Sequence, residues 1–217
     1  MPNHSHTNEL PAQTEGRLIR WASYYDVLVD GLTLGQIHRL REMTAVLAQI
    51  KPGDSVLDVG CGTGSVTIPD KIRAGQNGRA AGIDPAPEMI AVARRKAARK
   101  GLDIDFRVGV IEALPFPDAS LDVVTSSLMI HHLPENLQVR GLAEIYRVLK
   151  PGGRILIADF MRPNTSFLGQ FLTALSMHHG LKFGIEDLPK LLEDSQFSQI
   201  AVLKERFLMI GFVRAIK

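Results

Sequence analysis

Short apolar runs alternate with longer amphipathic stretches along most of this chain, and that alternation narrows its fold more than any other feature. Residues 55–59, 79–83, 104–108, 121–127 and 154–160 read as strands rich in Val, Ile and Leu. Residues 87–100, ended by Gly101, and 135–149 carry apolar positions at helical spacing. Strands that alternate with helices pair in parallel, since a parallel neighbour is reached only by a crossover long enough to hold a helix. The expected class is α/β, a doubly wound sheet with helices on both faces. The end of the chain breaks the rule. Residues 200–205 and 207–216 are both strand-like with little between them, so they predict an antiparallel hairpin.

Residues 17–49 read as helical: Leu18, Trp21, Tyr25, Leu28 and Val29, then Leu40, Met43, Val46, Leu47 and Ile50, recur at helical spacing. The expected layout is a disordered tail over 1–16, an N-terminal helical lid over 17–50 and one domain over 51–217, with a substrate-lid segment at 163–195. KPGD at 51–54, Asn77-Gly78 and KPGG at 150–153 predict turns. A net charge of +2 is too mild for the dense basic stripe that nucleic acid demands, so no nucleic-acid partner is expected. The basic run from Arg94 to Lys100 reads as a solvated helix face that suits the C-terminal dipole. Cys61 is the only cysteine, which excludes a disulfide framework and a cysteine metal cluster. The polar start is no signal peptide and no apolar run approaches about 18 residues, so the expected location is cytoplasmic.

The stretch VLDVGCGTG at 56–64 carries the chemistry. A glycine-rich turn after a strand usually wraps phosphate. Here Asp58 would repel phosphate oxygens, and Ser65 stands where the dinucleotide fingerprint wants its third glycine. Asp84, just past the second strand, lies where an acid accepts both ribose hydroxyls. The ligand should hold a ribose and, beside Asp58, a cation in place of a phosphate. S-adenosylmethionine (AdoMet) is such a molecule: an adenosine, a sulfonium and an ammonium. Pro69 would break a helix that began at Ser65, so that helix should start late or break near Ile68, with Pro69 in its first turn.

The motifs VLDVGCGTG, GIDPAPEMI, EALPFPDASLDVV, LMIHHLP and VLKPGGRILIADF follow one another in this order between Val56 and Phe160. Together they resemble class I AdoMet-dependent methyltransferases, in particular the small-molecule group that includes the ubiquinone/menaquinone-biosynthesis C-methyltransferases. The resemblance implies a Rossmann-like seven-stranded sheet of order 3-2-1-4-5-7-6 with strand seven antiparallel. It implies that Gly60, Cys61 and Gly62 let the backbone approach the methionine part of AdoMet, with Thr63 alongside and Asp58 supporting that end. Asp84 takes the ribose hydroxyls, and Pro85 and Met89 border the adenine. Val110 and Ile111 meet the adenine edge, Ser127 lies under the methionine, and Tyr25 resembles a lid residue. Val110 departs from the pattern, because relatives often carry Asp or Asn there to bind the adenine amino group; the Ile111 N–H still reaches a ring nitrogen.

The implied activity is methyl transfer to a small apolar or aromatic acceptor; AdoMet binding without transfer is the alternative, and a nicotinamide-dependent reductase the third reading. Transfer to a phenol or enol needs a base. His131 and His132 follow strand four at the correct end of the sheet, and an imidazole takes a proton near neutrality. Asp159, His178 and His179 are weaker candidates. Asp159 and Asn164 are too few for a magnesium site, so no metal is expected. The absence of [DN]-P-P-[YF] after strand four argues against DNA base-amino methylation, and the setting of Cys61 against cytosine C5 chemistry. Phe167, Leu168, Phe171, Leu172 and Leu175 form an apolar stripe that lines an acceptor pocket, touches a membrane or belongs to the core.

Overall fold

The computed structural model describes residues 36–162 and 183–217. Tyr25, the tail over 1–16, Asn164, His178, His179 and the stripe from Phe167 to Leu175 lie outside the described residues, as do the first part of the N-terminal helical stretch and most of segment 163–195.

A seven-stranded sheet forms the centre, in the order β3-β2-β1-β4-β5-β7-β6. Its strands are β1 (Ser55–Val59), β2 (Arg79–Asp84), β3 (Asp105–Val108), β4 (Leu121–Ser127), β5 (Leu149–Phe160), β6 (Ser198–Val202) and β7 (Ile210–Ile216). The first five pair in parallel, and β7 runs antiparallel to both β5 and β6. The expected order and the antiparallel hairpin are both found. The described helices are α1 (Ile37–Leu47), α2 (Thr67–Ala74), α3 (Pro87–Arg99), α4 (Glu135–Val148) and α5 (Leu188–Asp194), with 3-10 turns at Ile130–His132 and Ile185–Asp187.

Side-chain alternation along β1 divides the core. Leu57 and Val59 face one layer, with Val124, Ile155 and Ile157 from the neighbouring strands and Leu142 and Ile145 from α4. Val56 faces the other layer, with Val123, Leu156 and Phe212, under Ile37 and Leu40 of α1 and Ala74 of α2. Asp58 shares that second face, two residues on from Val56. Each fully buried aliphatic side chain contributes about 1.5–3 kcal/mol, so both faces are firmly held and the register is fixed.

Three local readings are refined. The helix after the glycine loop starts at Thr67, which puts Pro69 in its first turn as expected. The KPGG turn is absorbed into β5: Leu149 pairs with Leu121, the register then shifts, and Gly152 adopts φ +76° to take up the extra residues as a bulge. Strand β7 begins only at Ile210, because Phe207 and Ile210 close the hairpin with a bridge of their own. Val46, expected on a buried face, is 47% exposed, while Thr44 is fully buried through a hydrogen bond to the Leu40 carbonyl. Of segment 163–195, Ile185, Leu188 and Leu192 are buried in the core beside Val213.

Candidate active site

The carboxyl ends of β1, β2, β4 and β5 meet at one edge of the sheet, and the chemistry-bearing residues gather there. The loop after β1 is drawn over β2 by two bonds, as the N–H groups of Gly60 and Cys61 both donate to the Ile83 carbonyl at 2.9 Å. Gly60, Gly62 and Gly64 all have positive φ (74°, 51° and 73°), a region costly for any residue with a Cβ. Their surroundings differ. A Cβ on Gly60 would lie 2.4 Å from Met129 Cγ, so that glycine lets the loop after β4 approach. A Cβ on Gly62 would meet nothing within 4 Å, so its face is open.

Asp84 stands at that open face. Its Oδ2 accepts the Gly62 N–H at 3.0 Å and its Oδ1 the Ala86 N–H at 2.9 Å. Each oxygen retains a lone-pair site for a further donor, which suits a pair of vicinal hydroxyls. Burial pushes its carboxyl up, against the pull of those two N–H groups. Asp58 is 1% exposed and accepts the Thr67 hydroxyl at 2.7 Å. Burial pushes its carboxyl up to about 7, with Asp84 adding to the rise. Two acids beside an open glycine backbone offer hydrogen-bond acceptors and negative charge. A diphosphate would meet repulsion on both sides.

The other cofactor candidates are distributed around this edge. Met89 is buried with Ala86 and Val92, next to Pro85. Val110 sits half-buried after β3, and the Ile111 side chain is buried against Gly141 of α4. Ser127 ends β4 opposite Ala158. The Cys61 side chain turns into the cluster of Ile90, Ala93 and Phe106 beneath α3, and burial and the neighbouring acids raise its thiol far above the usual value. The Thr63 hydroxyl and Ser65 both bond to Lys96 Nζ, at 3.1 and 2.9 Å. Arg94, Arg95, Arg99 and Lys100 form the expected exposed basic face, while half-buried Lys96 braces the loop and Arg94 also bonds the Phe106 carbonyl of β3 at 2.6 Å.

His131 and Asp159 form a buried pair at the ends of β4 and β5. His131 Nδ1 lies 2.6 Å from Asp159 Oδ1, with side chains 5% and 1% exposed. Asp159 also accepts the backbone N–H groups of His131 and Phe160. A carboxyl group at Nδ1 favours the tautomer with its proton on that nitrogen and leaves Nε2 as the second ring nitrogen for another partner. The His132 ring lies tilted by 44° against His131 at 3.9 Å between ring centroids, and Phe160 meets His131 edge-on at 5.0 Å. Because Met129 packs on Gly60, this pair and the glycine loop line the same end of the sheet. Among the described residues, no three His, Cys, Asp or Glu side chains gather to hold a metal ion.

Sequence reading missed Thr67, Asp70, Thr125 and Lys96. An acid at the buried face of α2 was the one available signal, since Thr67 and Asp70 lie one turn apart on it.

Residues 56–153 match the family described as a methyltransferase domain. The chain is 33% identical over 180 residues to the ubiquinone/menaquinone biosynthesis C-methyltransferase of Hydrogenovibrio crunogenus, a match that covers 82% of this chain and 68% of that protein. The chain belongs to the class I AdoMet-dependent methyltransferases. The protein of the same description from Marinomonas sp. is 36% identical over 152 residues, covering 69% of this chain and 59% of that one. This chain thus spans only about three-fifths of that relative's length. A crystal structure of a SAM-dependent methyltransferase from Aquifex aeolicus shares the fold, with a TM-score of 0.73 and 22% identity over 90% of this chain and 97% of that one. No helix among the described residues is long and apolar enough to cross a membrane.

Proposed function

We propose that this chain transfers a methyl group from AdoMet to a small, apolar or aromatic acceptor that carries an ionisable hydroxyl. The pairing of His131 with Asp159 at 2.6 Å, beside the glycine loop, carries the reading. A protein that only bound AdoMet would have no use for an oriented imidazole there.

The residues present fit AdoMet. Gly62 offers an open backbone face, Asp84 has acceptor sites for both ribose hydroxyls, and Asp58 supplies negative charge toward the methionine end. Gly60 and Cys61 fix the loop, Thr63 holds it through Lys96, and Pro85, Met89, Val110 and Ile111 border the adenine, with Ser127 under the methionine and Tyr25 as a covering residue by family resemblance. Bound AdoMet would supply a sulfonium methyl that an acceptor oxygen or carbon takes in a single displacement.

The protein's part is alignment, exclusion of water and removal of one proton. His131 Nε2 accepts the hydroxyl proton of the acceptor as the acceptor's electrons engage the methyl carbon. Asp159 keeps Nδ1 as the donor nitrogen and stabilises the imidazolium that results. His132 and Phe160 pack the ring so that it cannot turn away. The relatives' printed names concern quinone biosynthesis, which supports an aromatic hydroxyl compound as acceptor.

The test is methyl-labelled AdoMet with a reduced 1,4-naphthoquinone and a set of simple phenols. Label should appear in a small organic product, and His131→Ala should lower kcat by about 10²–10⁴-fold with AdoMet affinity kept. Tight AdoMet binding with no labelled product from any acceptor would favour a binding protein and end this reading. Transfer undiminished in His131→Ala would remove the base.

A further inference from the structure

Beneath the glycine loop Asp58 belongs to a buried polar cluster whose other members have no part in the transfer described above. Asp58 of β1 and Thr125 of β4 are register partners on adjacent strands, and their side chains share a face. Helix α2 covers them with Thr67 and Asp70, one turn apart. Thr67 donates to Asp58 Oδ2 at 2.7 Å, and Thr125 Oγ1 lies 2.8 Å from Asp70 Oδ2. All four residues are buried, Asp70 and Thr125 to 0% exposure. Two carboxyl groups are therefore enclosed together at the interface of a helix and a sheet.

Their hydrogen bonding is unequal. Asp58 accepts the Thr67 hydroxyl and lies beside Thr125 across the β1–β4 seam. Asp70 has only Thr125, and its Oδ1 has no hydrogen-bond partner. A hydroxyl has one proton to give, so Thr125 cannot donate to both acids at once. The conflict disappears if one acid is neutral. A protonated Asp70 Oδ2 donates to Thr125 Oγ1, whose own proton then goes to Asp58. The opposite arrangement would leave a buried ion at Asp70 with one donor or none, and a neutral acid at Asp58 where the Thr67 hydroxyl already donates.

We propose that Asp70 is a positioning residue for the cofactor: as a carboxylic acid it donates through the Thr125 hydroxyl to Asp58 and so keeps the negative charge on Asp58, beneath the glycine loop. This rests on the reading of the loop as the AdoMet site. Burial raises both carboxyls, and the charge of Asp58 raises Asp70 further. The surrounding charges act less strongly than burial. Arg73 of α2 favours an ionised Asp70, Glu42 of α1 opposes it, the charge of Asp84 raises Asp58, and that of Asp58 raises the Cys61 thiol.

Two consequences follow for pH. Asp58, pushed up to about 7, is partly protonated in the free protein at neutrality, and a cation bound beside it expels that proton. Cofactor affinity therefore rises as pH rises through about 7. Folding responds in the opposite sense. The native pair holds protons that the unfolded chain has released above its ordinary carboxylate range of about 4. The stability it contributes is full at acidic pH and is lost as pH rises from there through the raised values.

Carboxyl carbon-13 NMR of the cofactor-free protein, assigned with Asp58→Asn and Asp70→Asn, tests the pair directly. The Asp70 signal should stay at its protonated position from pH 6 to 8 while the Asp58 signal moves near 7. Calorimetry with AdoMet in two buffers of different ionisation enthalpy should show proton release at pH 7. Asp70→Asn, a neutral isostere with a donor, should keep both that release and affinity within a factor of about three, whereas Asp70→Ala should weaken binding by about three- to tenfold. An Asp70 signal at its ionised position at pH 7 would overturn the proposal, as would AdoMet binding with no proton release in the wild type. Failure of AdoMet to bind at all would overturn the cofactor reading instead, and the NMR titration would still decide the pair.

Discussion

Replacing Gly62 and Gly60 by alanine, one at a time, separates a residue needed for the fold from one needed for the ligand. Gly62 has φ +51° and its new Cβ would meet nothing within 4 Å. The only cost to the free protein is the left-handed backbone, about 1–2 kcal/mol. For a chain of this length each kcal/mol lowers Tm by about 2–4 °C, so Gly62→Ala should melt about 2–8 °C below wild type and remain folded. Gly60→Ala bears the same backbone cost at φ +74° and adds a collision, with the Cβ 2.4 Å from Met129 Cγ and 2.9 Å from its Cβ. Met129 cannot relieve that by moving only its tip, so overpacking adds about 1–3 kcal/mol. Binding should follow the reverse order. If the cofactor lies over Gly62, a methyl group on that face displaces it from the backbone and from the Asp84 carboxylate that the Gly62 N–H orients, and affinity should fall at least about tenfold through loss of one charge-assisted hydrogen bond. Differential scanning calorimetry gives the stabilities and titration calorimetry the AdoMet affinities. A Gly62→Ala protein that is folded and binds AdoMet as wild type does would refute the argument, because the open face would then not be where the ligand lies.

Asp84→Ala should weaken AdoMet binding by about 10²–10⁴-fold, the loss of two hydrogen bonds to a charged acceptor; near-normal affinity by calorimetry would sink the ribose assignment. Val110→Asp should raise affinity by at most about tenfold, since a charge-assisted bond of about 1.5–3 kcal/mol is set against desolvation of the acid. It should also sharpen discrimination against the hypoxanthine analogue of AdoMet, and an unchanged ratio would mean that residue 110 does not face the adenine edge.

The topology was readable because it depends on period and loop length, both local properties. Five strands separated by helix-length connections must run parallel, and a link as short as that between Val202 and Ile210 must reverse the chain. The glycine loop, Asp84 and the late start of α2 at Thr67 were equally plain, since positive φ, a carboxylate beyond a strand and a proline in a helix act through their own backbone. The same locality explains the misreadings. KPGG has a turn's composition, yet pairing with Leu121 makes it a bulge, because strand neighbours are chosen by the sheet. The basic run of α3 is exposed as its composition implies, and only half-buried Lys96 departs from it, reaching Thr63 and Ser65 across 31 to 33 residues of chain.

The sequence by itself determined which residues could do chemistry and at which end of the sheet they would lie, because alternation in a strand and the direction of a parallel sheet fix both. It named His131 and Asp159 separately, 28 residues apart. Only the tertiary structure made them a pair, by setting the end of β4 beside the end of β5, and only it enclosed Asp58 with Asp70 by laying α2 across the β1–β4 seam. Hydrogen bonds act over about 3 Å, and their partners here come from different elements. Which donor meets which acceptor is therefore settled by how a helix packs on a sheet, not by spacing along the chain.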